Sequence, residues 1–166
     1  MKSPLLLLII LMICFPSCKF YSFTGASIPP EVKTIQVDYF QNNAGGGPAS
    51  LSQTFTETLK DKFLSDADLK LVTRDADITM KGFISLYTIE AKAPVEGETT
   101  ALNRLNISVN IEYINKPFPE DNWTKTFRAF SEFESGIDVI SIQDELIDEI
   151  TEQLADDIFV AALVKW

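Results

Sequence analysis

Between Leu105 and Tyr113 the chain alternates without a break: Leu105, Ile107, Val109, Ile111 and Tyr113 are apolar or aromatic, and Asn106, Ser108, Asn110 and Glu112 between them are polar. Successive side chains of a β-strand point to opposite sides, so the pattern specifies a strand with one face in a core and one polar face. The chain is thereby constrained to a sheet covered on a single side.

Two further strands flank this one. Ile78 to Ala91 reads as a long strand in which Ile78, Met80, Ile84 and Leu86 share one face before Tyr87, Ile89 and Ala91 take the opposite parity. That switch predicts a bulge or an end of pairing near Leu86. Asn122 to Phe133 reads as the next strand, with Phe127, Ala129 and Phe133 on one face. The turns Ala93–Thr100 and Asn115–Asp121 carry Pro or Gly and make the three an antiparallel meander, which Ser135 and Gly136 end. Upstream, Val32 to Phe40 reads as a first strand with Ile35, Val37 and Tyr39 on one face.

Two amphipathic helices complete the pattern. Leu51, Phe55, Leu59 and Phe63 recur every four residues, predicting a helix from about Ala49 to Ser65 capped by Ser50 or Ser52. A longer helix, Ser141 to about Val164, has the stripe Ile142, Leu146, Ile147, Ile150, Leu154, Ile158 and Ala161. Its other side holds Asp144, Glu145, Asp148, Glu149, Glu152, Asp156 and Asp157 with no Lys or Arg between them, either a solvated face or one awaiting a basic partner. The order β-α-β-β-β-α predicts an α+β two-layer sandwich, two helices on one face of a mainly four-stranded sheet.

Composition excludes several kinds of chemistry. Histidine is absent, which removes the commonest general base and the commonest metal ligand. Gly45-Gly46-Gly47 is not followed by the Lys-Ser/Thr pair of a phosphate loop. The acids Asp66, Asp68, Asp75 and Asp77 lack the spacing and glycine of a calcium loop and read as solvated turn residues. A glycosidase needs two carboxyls facing across a cleft, and no motif singles out such a pair. We therefore expect no catalytic residue, no cofactor and no metal.

The first residues set the address. Leu5 to Phe15 is uncharged, follows Lys2, and leads into Pro16-Ser17-Cys18. A spanning helix needs about 20 apolar residues, so this shorter run reads as a secretory signal. Ser17 before Cys18 reads as a lipoprotein cleavage site, after which Cys18 is acylated and becomes the N-terminus, held stably by more than one chain; the alternative is ordinary signal cleavage that leaves Cys18 a free thiol. The expected organisation is a signal peptide at 1–17, a lipidated tether at 18–30 and one domain at 31–166. In the tether, Phe20, Tyr21 and Phe23 pack on the domain or lie at the lipid interface, and Pro29-Pro30 extends the chain.

Cys14 leaves with the signal, so no disulfide forms in the mature domain. Removal of residues 1–17 leaves 149 residues with 13 Lys and Arg against 24 acids, a formal charge of −11. Nucleic acid is excluded as a partner, because phosphate binding needs clustered cations.

These features, with Tyr21 to Pro30, Leu51-Ser52-Gln53, Leu59 to Phe63, Leu102-Asn103-Arg104-Leu105 and the segment from Asp144 to Trp166, resemble the LptE family of lipopolysaccharide-assembly lipoproteins, in its Bacteroidetes-type branch. The resemblance spans the mature chain and rests on collective similarity. It implies a non-enzymatic outer-membrane lipoprotein on the periplasmic side that plugs and helps to assemble the β-barrel LptD, with lipopolysaccharide as a further contact. Cys18 matches the lipidated cysteine of the family. The loop Ala93–Thr100 matches one that probes the barrel lumen elsewhere in the family, yet it holds Glu96 and Glu98 and no cation. Arg104, Lys116, Lys125 and Arg128 are thus the candidate contacts to lipid phosphates or barrel carboxylates. The alternative is a lipid-tethered periplasmic carrier of a lipid or glycan, which needs an apolar cavity.

Overall fold

The computed structural model describes residues 28–92 and 101–164. The expectations for Cys18, the tether aromatics and the loop 93–100 fall outside these residues.

The alternating segment forms β5, Leu102–Asn115, at the centre of the meander. It pairs antiparallel with β4, Ile78–Ala91, on one side and with β6, Trp123–Glu134, on the other. A 3₁₀ turn, Pro119–Asp121, lies between β5 and β6. The apolar parity of β5 faces the core as expected, and Leu105, Ile107, Val109 and Ile111 are fully buried.

Among the described residues the sheet has six strands rather than four. β1, Thr34–Val37, runs parallel to β4 and carries β3, Lys70–Leu71, on its other side. β2, Gln41–Asn42, pairs with β4 further along the same edge. At two residues each, β2 and β3 are too short to show a period: the first segment reads as a loop and the second as a short apolar piece between acids. The strand order is β3-β1-β4-β5-β6, with β2 beside β4.

The strand expected over Val32 to Phe40 stops at Val37, and the chain rejoins the sheet as β2 just past it, in a segment expected as a loop. Val37 faces Met80 and Gln41 faces Phe83, so the chain spends one residue more than β4 over this interval. The extra residue reverses parity: Tyr39, expected beside Ile35 and Val37, is exposed, and Phe40 is fully buried instead. Phe40 N–H leaves the ladder and donates to Thr56 Oγ1 at 3.1 Å. Its ring packs edge-on against Phe55, centroids 5.1 Å apart, and over Gly82, where an added Cβ would lie 1.9 Å from Asn110 O and 2.9 Å from the Phe40 ring. Glycine at 82 is what lets an aromatic ring and the neighbouring strand approach so closely.

The parity switch in β4 is also present. Register shifts between Ile84 and Leu86, leaving Ser85 as the inserted residue. Leu86 therefore lies opposite Ser108 on the outer parity, not with Ile84 as the sequence pattern suggested, and Tyr87 faces the helices.

Both helices pack on one face of the sheet. In α1, Leu51–Asp66, the stripe Leu51, Phe55, Leu59 and Phe63 is fully buried. Neither expected serine caps it by its side chain: Ser50 occupies the cap without a hydroxyl bond, and Ser52 lies inside the helix. α2, Val139–Leu163, starts two residues earlier than expected because Asp138 accepts from Ile140 N–H at 3.1 Å. Leu146, Ile147, Ile150, Leu154 and Ile158 of its stripe are buried. Each such side chain contributes about 1.5–3 kcal/mol relative to exposure.

Phe63 of α1 meets Phe159 of α2 with centroids 5.3 Å apart. Beside them Lys62 lies 2.6 Å from Asp66 and 2.6 Å from Asp156, which joins the helices by charge and raises the lysine pKa, Asp156 being the larger cause.

One turn acid has a structural task. Asp77 Oδ2 accepts from Lys33 N–H at 2.9 Å, Thr34 N–H at 3.0 Å and the Thr34 hydroxyl at 2.8 Å. Asp77 N–H in turn donates to Thr34 Oγ1 at 2.9 Å. This clasp ties the start of β4 to the start of β1 and corrects the reading of Asp77 as a merely solvated residue. The donors, the Lys33 amide first, hold the Asp77 carboxyl below the usual carboxylate range. No described helix is long and apolar enough to cross a membrane.

Candidate functional site

The outer face of the meander carries the polar parity of β5. Cross-strand register places Glu90, Arg104 and Glu132 in one row, Thr88, Asn106 and Phe130 in the next, and Leu86, Ser108 and Arg128 in the third. Two of the four candidate cations thus share this face, about 13 Å apart along the strands at the usual rise per residue.

Arg104 is held by two neighbours. Its Nε and Nη2 both donate to Glu132 Oε1, the former at 3.1 Å, and its guanidinium lies 3.9 Å from the Phe130 ring centroid. Lys92 Nζ reaches the other oxygen of Glu132 at 3.1 Å. Two cations around one acid, Arg104 first, keep the Glu132 carboxyl below its usual range. Planar guanidinium donors stacked on a ring are preorganised for carboxylate or phosphate oxygens. A shallow concavity lined by Glu90, Ala91, Lys92 and Arg104 adjoins them.

Beneath this row the face is less wet than its sequence suggests. Asn106 and Ser108 are buried, and Arg128 Nε donates to Ser108 Oγ at 3.1 Å. Asn106 Nδ2 and Thr88 Oγ1, on residues directly opposite one another, are buried without a hydrogen-bond partner among the described residues. Such groups are costly to leave unmade and suit a hydroxyl or phosphate-bearing partner.

The other two candidates lie elsewhere. Lys125 sits on the helix-side parity of β6, opposite Ile111, with its Nζ 5.1 Å from the ring centroid of Trp123. Trp123 in turn stacks on Tyr113, centroids 5.1 Å apart and planes at 12°. Burial pushes the Tyr113 hydroxyl up to about 12. Lys116 lies in the β5–β6 turn, where its N–H donates to Asp77 O at 2.8 Å. The structure therefore brings Arg104 and Arg128 onto one face and leaves Lys125 and Lys116 outside it.

Lys92, Glu132, Phe130, Thr88 and Asn106 were not singled out in the sequence. Their association depends on strand register, and Arg104 and Glu132 are 28 residues apart. The one available signal was the antiparallel meander itself, which predicts that cations and acids of neighbouring strands meet in rows.

Between the helices lies an open groove of about 420 Å³, lined by Thr58, Asp61, Lys62, Ser65, Glu152, Ala155 and Asp156. Two acids of the α2 face have partners within the domain: Asp156 pairs with Lys62, and Glu149 accepts from the Ser131 hydroxyl at 2.6 Å. Among the described residues, no group of three or more acids and cysteines is arranged to hold a metal ion.

Comparison with solved structures places the fold. A minor lipoprotein from Acinetobacter baumannii is similar with a TM-score of 0.53 and 14% identity, over 80% of this chain and 94% of that one. Lipoprotein B from Nitrosomonas europaea is similar with a TM-score of 0.52 and 11% identity, over 86% and 88%. A protein from Xanthomonas campestris is similar with a TM-score of 0.51 and 11% identity, over 78% and 84%. At such identities the likeness is one of fold. Among curated proteins none matches the chain. The model of the LptE family, described as lipopolysaccharide-assembly, matches residues 32–161, from the start of the first strand to the last turns of α2. The chain belongs to the LptE family of lipopolysaccharide-assembly lipoproteins.

Proposed function

We propose that this lipopolysaccharide-assembly lipoprotein acts as the plug and assembly partner of an LptD-type outer-membrane β-barrel, anchored from the periplasmic side by acyl chains on Cys18. The observation that carries the reading is the family match over residues 32–161. The packing supports it. The space between sheet and helices is filled by Phe40, Phe55, Ile84, Leu105, Ile107 and Ile158, all fully buried, which suits a rigid insert better than a carrier with an apolar cavity.

Within this reading, Arg104 and Arg128 meet barrel carboxylates or lipid phosphates on the outer face, and Lys116 and Lys125 make contacts beyond it. Asn106 and Thr88 supply hydrogen bonds once the face is covered. The experiment is recovery of the chain from its native envelope in mild detergent. A complex with a large barrel that survives high salt is expected, and a chain recovered alone overturns the proposal. Mass spectrometry of the same material tests the anchor, with an acylated Cys18 expected and an unmodified thiol decisive against it.

A further inference from the structure

We propose that the free edge of β6 is a docking site for an extended acidic segment of a partner protein, which adds to the sheet as one more strand. The two edges of this sheet are built differently. β3 offers two residues. β6 offers twelve, without proline or glycine, and among the described residues no strand pairs with its far side. Natural sheets protect edges by shortness, proline, bulges or charge, and only charge is used on β6.

Register fixes which backbone groups are on offer. Ser135 N–H donates to Ala101 O at 2.9 Å, which makes these two a hydrogen-bonded pair. By the alternation of an antiparallel ladder, Phe133, Ser131, Ala129, Phe127 and Lys125 also turn their N–H and C=O toward β5. The groups of Thr124, Thr126, Arg128, Phe130 and Glu132 face away from it. The first four of these residues are exposed. The row runs for roughly 27 Å at the usual rise per residue.

Charge selects the occupant. Between Asn122 and Ser131 the strand carries Lys125 and Arg128 and no acid, within a chain of net charge −10. Neither cation forms an ion pair among the described residues; Lys125 lies near Trp123, and Arg128 donates to Ser108. They sit on opposite faces of the strand, so a partner with acids three residues apart sets one carboxylate beside each. A second copy offers these cations only Glu132, already held by Arg104 and Lys92, and Glu134, both on the face of Arg128, so it leaves Lys125 without an acid. Strand addition of this kind draws affinity from main-chain bonds and specificity from alternate side chains.

The test is hydrogen exchange of the full chain in detergent, read at Thr124, Thr126, Arg128 and Phe130. The probe is a ten-residue peptide of valine and threonine with two glutamates three residues apart. Its controls carry lysine in place of glutamate, or N-methyl groups on alternate amides. With the glutamate peptide at ~10 times its dissociation constant, exchange at these amides slows about tenfold, while neither control protects them. Absent protection, or equal protection by the lysine peptide, overturns the proposal. Protection that grows with chain concentration in the absence of peptide assigns the edge to a second copy and also overturns it. The double variant Lys125→Glu, Arg128→Glu is expected to reverse the preference between the charged peptides. Thr126→Pro, which removes one outward donor, is expected to abolish protection by both, and the charge reversal decides the matter should that proline unfold the strand.

Discussion

On the inner face of the meander, Leu105, Ile107, Val109 and Ile111 of β5 are fully buried beneath two helices, whereas on the outer face the same strand presents Arg104, Asn106, Ser108 and Asn110. The inner side chains are held by close packing, in which every missing methylene leaves a void. The outer ones are held by a few directed contacts: Arg104 against Glu132 and Phe130, and Arg128 on Ser108. One backbone thus supports two regimes, one that sets stability and one that leaves room for recognition.

The sharpest attempt to break this division is Phe55→Ala. The ring is fully buried against Phe40, so a loss of about 3–5 kcal/mol is expected from the shift in urea midpoint. A loss below about 1 kcal/mol would mean that the inner face is not tightly packed. Gly82→Ala comes next. Its Cβ meets Asn110 O and the Phe40 ring, and about 1–3 kcal/mol is expected by the same measurement, because β5 or Phe40 must shift.

Asp77→Ala removes the acceptor of three bonds at the β1–β4 clasp, with about 1–2 kcal/mol expected near neutral pH. The sign with pH follows from a depressed folded pKa. The contribution is fully present above the unfolded value of about 3.9, and it is lost as pH falls below that through the folded pKa. Urea titrations of parent and variant therefore converge in acid; a gap independent of pH would remove the carboxylate from the account.

Arg104→Ala is expected to do least to the fold. The ion pair is partly exposed and screened by solvent, so little change is expected by thermal melting. Without the guanidinium the Glu132 carboxyl rises toward its ordinary range, observable by carboxyl NMR titration. A large loss of stability here would mean that the outer face is part of the core, and the comparison above would fail.

The legible parts of this fold are those written in a repeating period. The alternation of β5, the stripe Leu51-Phe55-Leu59-Phe63 and the long stripe of α2 all face the core as their spacing requires. The bulge in β4 was legible to within one residue, because parity reports that a switch occurs and only the pairing shows that Ser85 makes it. What periodicity missed were local decisions taken by distant groups. Phe40 turns inward because Gly82 leaves space and Thr56 accepts its N–H. β2 and β3 exist because β4 and β1 offer edges, not because two residues prefer to be strands. At the candidate site, Arg104 was readable as a cation on a polar face, while Glu132 and Phe130 became its neighbours only through register.

The inserted residue at Ser85 also bears on how such a domain varies. Up to Ile84, β4 must keep step with the core beneath it; past Ser85 the count restarts, and Tyr87 reaches α2 through its hydroxyl, which accepts from Gln143 Nε2 at 2.6 Å. The outer stretch of the β4–β5 hairpin is therefore out of phase with the inner stretch by construction. Beyond Ile89 and Leu105 it can lengthen or shorten by two residues in each strand without turning a core side chain over. A lineage that needs a longer or shorter finger at this end can obtain one by insertion and deletion alone, while the hydrophobic layer below stays the same.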